Sequence, residues 1–587
     1  MRLAGLKVQG VPVGEPAFTA HQLGVKTAKC VSKINKIVSK LQTRSIHALW
    51  VATWFSNMTL LHHWLQLCSP DDTLACASDM DAALTKAGEA AVPALALADP
   101  LSRCRFAQPA RLKGAGFRAC TVVRHAAFLG SVEQALPRFV DKPGEPGFSP
   151  ACASALGVGS FEPGGQRYAA LIVHSARGGG VSVSAQIVSS WQHLQAKVGI
   201  TQQDVLDGTG TSLLHAPCHM LGGGLKQMQR LITKQVENHT HTQLHAQFLA
   251  LPAGDMRRSA WMHVDRFASQ WVAGYMAEHE CSNLEWEFGT GWYMGLPLPS
   301  LAAMVGKPIA GTGQFVDAHG RYLTSVNVAG ADWTTCHDGF LAAVRDDLID
   351  CGINTRTEVV GLFRSAMGCV HGRRAFDRAS WRDRRGSVPD AIASFALDGE
   401  PPRDHLLELK FIRYCPSNYP VYRGGDSAGG AVARRAAKIP GEYRNKARKL
   451  DEKYSGQYEG DIGPVEQRLR VLGPVQPMVV GAFGEMNTFM HSLLRAAAAV
   501  GGEKHWARMR CASPSAAAAV MAQVLRRSWG MTAFRANARV LIRRLGLCDA
   551  PAGQAAAASL FVRRSMRRRR DYACEMHSGG DRGVVAY

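Results

Sequence analysis

"SVPDAIASFALDGEPPRDHLLELKFI", residues 387–412, decides the fold of this chain. It holds Pro389-Asp390, a run of small and apolar residues, the turn pair Asp398-Gly399, and Glu408-Leu409-Lys410 inside a second apolar run. Asp-Gly is strong turn chemistry, and the two flanking runs suit antiparallel strands. Side chains alternate faces along a strand, so Glu408 and Lys410 project to one side and Leu407, Leu409 and Phe411 to the other. Asp390, at the start of the partner strand, then comes close to Glu408. Two readings fit: a hairpin with charges on its wet face, or an acid pair around a metal ion. Paired carboxylates repel unless a cation holds them, and Mg²⁺ (or Mn²⁺) is the hard, oxygen-seeking choice. Such an ion lowers the pKa of a water and stabilises charge on a scissile phosphate. Lys410 would orient or deprotonate that water, or neutralise the phosphate oxygens. A one-residue slip in register would turn Glu408 into the core and abolish the site.

Working outward, "NTRTEVVGLFRSAMGCV" (354–370) reads as capping residues followed by a helix with Val359, Leu362, Phe363 and Met367 on its apolar face. It carries Glu358 as a further acid. From Arg364 to Arg385 there are seven arginines against Asp377 and Asp383, and Arg373, Arg374 and Arg385 are candidate phosphate contacts. Downstream, "PGEYRNKARKLDEKY" (440–454) reads as a helix opening at Pro440-Gly441. Its Tyr443, Lys446, Arg448, Lys449 and Lys453 suit either a DNA backbone or a solvated charged face. "GPVEQRLRVLG" and "VQPMVVGAFGE" (475–485) then read as a short helix and a buried strand.

The 587 residues exceed one compact core, so several domains are expected. A formal charge of +21 implies polyanionic partners, DNA first and RNA second, or an unusually basic enzyme. Fifteen cysteines in no paired spacing, and no signal peptide at Met1, point to an intracellular or nuclear protein that is not secreted. The most apolar window, residues 46–68, contains His47, Asn57, His62, His63 and Gln66, which favours a buried or amphipathic helix over a membrane span.

Residues 20–90 read as helical, with Val31, Ile34, Val38 and Leu41 as a stripe and five lysines (Lys26, Lys29, Lys33, Lys36, Lys40) off it. Helices are also expected over 124–140 and in 213–250, with a short hairpin around His319-Gly320. Cys218, His219, His239, His241 and His245 cluster without a recognised zinc spacing. "VLRRSWGMTAFRANARVLIRRLGL" (524–547) reads as a basic helix, followed by an arginine-rich tail over 551–587 expected to be disordered.

Pro389-Asp390 with Glu408-Leu409-Lys410, in the order helix, strand, strand, strand, helix, strand, resembles the PD-(D/E)xK nuclease superfamily. More broadly the chain resembles the part that follows the reverse-transcriptase palm in non-LTR retroelement-like reading frames. That likeness rests on "GVPVG" (10–14), "HHWLQLCSPDDT" (62–73), "RHAAFLGSVEQALP" (124–137), "DMRRSAWMHVDRF" (255–267), "PGEYRNKARKLDEKYSG" (440–456) and "GPVEQRLRVLGPVQPMVVGAFGE" (463–485). The polymerase's Tyr/Phe-x-Asp-Asp is absent, as is the CCHC zinc knuckle of site-specific relatives. The resemblance implies an α+β multi-domain protein: a mainly helical N-terminal half, a restriction-endonuclease-like α/β core and a basic helical C-terminus. The corresponding segments are 1–141 (thumb-like), 142–330 (connecting), 331–500 (nuclease core), 501–550 (basic helix) and 551–587 (tail). The implied activity is metal-dependent nicking of target DNA, with Asp390 and Glu408 as metal ligands and Lys410 assisting the water. The alternative is a nucleic-acid-binding remnant without catalysis.

Overall fold

The structure is a computed structural model. It describes residues 5–8, 11–14, 16–57, 60–140, 189–190, 192–196, 228–274, 279–310, 312–326, 332–357, 362–366, 370–378, 388–397, 400–415, 418–419, 430–455 and 461–546. Glu358, Arg385, Cys218, His219, the Asp398-Gly399 turn, the 142–170 segment and the 551–587 tail lie outside these residues. The fold is mixed α+β and mostly helical. It forms two compact units, 1–261 with 272–283, and 262–271 with 284–587.

Among its described residues the first unit is helical apart from one short antiparallel pair, β1 (Gly5–Val8) with β2 (Val11–Gly14). Helix α1 (Pro16–Leu41) buries Ile34 and Val38 of the expected stripe, and Lys29, Lys33, Lys36 and Lys40 stay exposed. The apolar window is broken into α2 (Ile46–Ala52), a π-turn and α3 (His62–Leu67). Its Trp50 is buried, stacks on Phe117 and donates to the Val272 carbonyl at 2.8 Å. Among the described residues no helix is long and apolar enough to cross a membrane. Ser69 caps α4 (Pro70–Ala91), accepting from the Asp72 amide at 3.1 Å. Helices α5 (Cys120–Val140) and α6 (Met228–Ala250) fall where periodicity placed them. On α6, His241 and His245 lie against the Trp261 ring, and His245 accepts from its indole N–H at 3.0 Å.

The second unit is organised around a four-stranded sheet in the order β5 (Thr355–Thr357), β6 (Ala391–Phe395), β7 (Arg403–Phe411), β8 (Gln476–Val480). β5, β6 and β7 run antiparallel in turn, and β8 is parallel to β7. A parallel neighbour requires a crossover, supplied here by α8 (Gly430–Ser455) and α9 (Pro464–Leu472). On one face of the sheet Ala391, Ala393, Leu407, Leu409, Met478 and Val480 share a core with α7 (Asp332–Cys351), α10 (Thr488–His505) and α11 (Pro514–Leu545). Trp529 of α11 is fully buried there and donates to Asp347 of α7 at 2.8 Å. The basic helix read over 524–547 places Leu525, Trp529 and Ala533 in this core.

Three local expectations change. Residues 355–357, read as the capping lead-in to a helix, form strand β5 instead, paired Thr355↔Ala393. Two β-branched threonines in an edge-strand position outweigh the helical spacing that follows them. The short pairing near residue 315 is β3 (Pro308–Ile309) with β4 (Gln314–Phe315), and Gly320 (φ +68°) opens a short helix instead of a hairpin turn. Helix α8 begins ten residues before Pro440, which sits inside it. The starting signal read at Pro440-Gly441 is an interior proline, and the helix buries Ile439 before it and Tyr443 after it.

Candidate active site

The hairpin register settles where the acids stand. Ala391 pairs with Leu407, so the next positions outward are Asp390 and Glu408. Beyond the last ladder pair the Asp390 side chain supplies an acceptor to the facing strand. Its Oδ2 accepts the Leu409 amide at 2.8 Å. The carboxylate is thereby pinned onto the Glu408-Leu409-Lys410 segment.

Glu408 is 2% exposed and points to the face opposite the Leu407–Leu409 core. Its Oε1 accepts from the Lys410 ammonium, and its Oε2 accepts from the Tyr443 hydroxyl of α8 at 2.6 Å. Tyr443 is itself buried and also reaches the Val388 carbonyl at 3.3 Å. The sequence reading of Tyr443 as a DNA contact is thus corrected: it is an internal support for Glu408. Tyr443 was read as exposed because α8 is so basic, but its position is on the sheet-facing side, with Ala447 and Leu450.

The sequence reading missed His337. It lies on α7, 53 residues before Asp390, and its Nε2 stands 3.1 Å from Asp390 Oδ2 and 3.2 Å from the Leu409 carbonyl. No local motif marks it: its sequence neighbour Asp338, 3.1 Å from Nδ1, does not point to Asp390. Only the packing of α7 against the sheet brings it to the carboxylate.

The electrostatics follow from crowding two acids in a desolvated place. Burial, and next the charge of Asp390, push the Glu408 carboxyl above its ordinary range against the pull of Lys410 and Tyr443. Burial works in the same direction on Asp390, but the hydrogen bond and charge of His337, then Lys410 and the Leu409 amide, bring it below its ordinary value. Burial would lower His337; Asp390, with Asp338, more than reverses this and raises it. Burial lowers Lys446, opposed by Glu408. One site therefore holds a readily ionised acid beside a reluctant one.

Among the described residues no three His, Cys, Asp or Glu side chains are arranged as a metal cage. Glu408 is turned to Lys410 and Tyr443. The donor chemistry nonetheless fits a hard divalent ion: the carboxylates of Asp390 and Glu408 and the Leu409 carbonyl are all oxygen donors.

The proposed DNA-contacting residues divide. Lys449 and Lys453 are exposed on α8, as Arg374 is on the helix Val370–Asp377. That helix meets α8 through Phe376, edge-on to Tyr454 at 5.5 Å between ring centres, so Arg373 and Arg374 are brought toward the Lys453 end of α8. Arg448 is exposed but held by Glu466 of α9 at 3.0 Å. Lys446 is half-buried, with its ammonium 4.1 Å from the Tyr443 ring centre. It belongs to the acid cluster rather than to an outer face. No protein-family model matches this chain, and no curated protein matches it.

Proposed function

We propose that the second unit is a divalent-metal-dependent endonuclease of the restriction-endonuclease-like kind, nicking DNA by phosphodiester hydrolysis. One observation carries the reading. Asp390 is pinned to the Leu409 amide directly across the register from a buried Glu408, with Lys410 on the same strand face. The sheet, three antiparallel strands with a parallel fourth after a helical crossover, supports this reading.

In this reading Asp390, Glu408 and the Leu409 carbonyl would hold Mg²⁺ or Mn²⁺, which when bound supplies an acidified water and positive charge at the phosphate. Lys410 offers a point charge to the phosphate oxygens or to the attacking water. Tyr443 fixes the rotamer of Glu408, and His337 orients Asp390, the supporting contacts that a metal-binding carboxylate needs. The exposed Lys449, Lys453 and Arg374 supply sequence-independent contacts to the DNA backbone, weakened by salt. A retroelement origin would make this the module that nicks target DNA in an intracellular or nuclear setting.

The test is nicking of supercoiled plasmid by the purified chain with Mg²⁺, Mn²⁺ or chelator, beside Asp390→Ala and Lys410→Ala. Metal-dependent nicking lost in both variants, with DNA binding kept, supports the reading. DNA binding without nicking by folded protein replaces it with that of a binding remnant.

A further inference from the structure

Beyond the acid cluster, β7 runs on into a pocket of about 340 Å³ between the end of the strand and the first turns of α8. That size falls within the range of small-ligand sites, about 300–1,000 Å³. Arg413, Arg434, Arg435 and Lys438 line it, and no acidic side chain is among its described lining residues. Two of these cations have neutral neighbours. Arg434 donates to the Asn418 carbonyl at 2.7 Å, a neutral acceptor, and Arg413 lies 5.5 Å from the centre of the neutral Trp333 ring. Arg435 is paired with Glu442, one residue before Tyr443. Phe411 and Ile412 give the pocket an apolar wall.

We infer that this pocket binds the phosphate monoester of a nucleotide, and that it does so for a strand end engaged by the neighbouring acid cluster. A phosphomonoester carries close to two negative charges near neutral pH. It therefore matches a lining of several cations better than the single charge of an internal diester. Arginine forks add bidentate geometry for phosphate oxygens, and Lys438 adds a point charge. Position on α8 ties the pocket to the site. Lys438 and Arg434 precede Tyr443 by five and nine residues, about 7–14 Å along a helix rising ~1.5 Å per residue. At ~3.4 Å of rise per nucleotide of one strand, this is about two to four nucleotides. A strand end seated in the pocket sets where the acid cluster meets the chain.

The inference rests on the nucleic-acid reading above, and its test is independent of cleavage. Binding to the full-length protein is measured in chelator with a labelled twelve-nucleotide strand bearing a 5′-phosphate or a 5′-hydroxyl, and with dAMP as competitor. The same set is run on Lys438→Ala and on Arg434→Ala with Lys438→Ala; both side chains are exposed on α8, and unchanged circular dichroism establishes that the variants fold. The expected result is about tenfold tighter binding of the phosphorylated strand, reduced to less than threefold in the double variant. Competition by dAMP that is lost in the same variant also supports the pocket and assigns it to free nucleotides as well as strand ends. Equal binding of both strands and no competition by dAMP overturns the inference, as does a phosphate preference that survives the double variant. Absence of metal-dependent nicking leaves these outcomes unaffected and bears on the catalytic reading alone.

Discussion

Replacing Tyr443 by Phe removes one oxygen and leaves the ring in place, so it isolates the hydroxyl's hold on Glu408. That hydroxyl donates to Glu408 Oε2 at 2.6 Å inside a site where the glutamate is 2% exposed. A hydrogen bond to a charged group contributes about 1.5–3 kcal/mol, and water cannot replace this one without opening the site. The expected loss of stability is about 2 kcal/mol wherever Glu408 is ionised, the bond then being between a hydroxyl and a carboxylate. The sign with pH follows from the raised Glu408 pKa. The hydroxyl favours the ionised form, so its loss raises that pKa further. Its extra stabilisation is present above the folded-state pKa of wild-type Glu408 and is lost as pH falls through it. Below that, only a neutral hydrogen bond remains, about 1 kcal/mol. Equilibrium urea unfolding of both proteins at pH 8 and pH 4.5 measures the difference. A loss under about 0.5 kcal/mol at pH 8, the size of an ordinary surface change, would refute the claim that Tyr443 supports Glu408. So would a loss that grows as pH falls.

Three further outcomes are expected. Burial pushes Glu485 from 4.5 up to about 8, so the unfolded chain ionises first and stability falls as pH rises from about 4.5 to about 8. The difference is at most ~5 kcal/mol, and Glu485→Gln should flatten thermal melting across that window; an unchanged slope counts against a protonated Glu485. Asp451 is buried and accepts the Val465 and Glu466 amides, each at 2.9 Å, at the start of α9. Asp451→Ala should cost about 1–2 kcal/mol, read by urea unfolding, with Asp451→Asn intermediate because it keeps one acceptor. If the proposed function holds, His337→Ala should reduce plasmid nicking roughly 10–100-fold while gel-shift affinity for DNA stays within twofold; unchanged nicking would remove His337 from the site.

The hairpin was legible because its information is local. The apolar runs specify both strands and, in β7, which face Glu408 and Lys410 share; the register, which the sequence left open, comes from the pairing Ala391↔Leu407. The short helix and apolar strand after residue 463 were legible for the same reason: Pro464 at the helix start and a run of apolar residues over β8. Strand β5 was not, since three residues carry too little pattern to compete with the helical spacing beside them; its partner Ala393 lies 38 positions further on. The beginning of α8 was misplaced because an interior proline imitates a helix start, and helix ends depend on what the neighbouring layer buries.

Sequence alone determined the elements whose signals repeat at short range: the amphipathic helices, the β6–β7 hairpin, and the placing of Glu408 and Lys410 on one strand face. It also determined the strongly basic character of the chain, a sum over residues that needs no geometry. Tertiary structure decided the environment of those residues. It brought His337 to Asp390 across 53 positions, put Tyr443 beneath Glu408 instead of on an outer face, and drew Arg448 into an ion pair with Glu466. The physical reason is range. Periodicity records which side of an element is buried, whereas a hydrogen bond or a shifted pKa depends on atoms a few ångströms away in space, contributed by segments that only packing brings together.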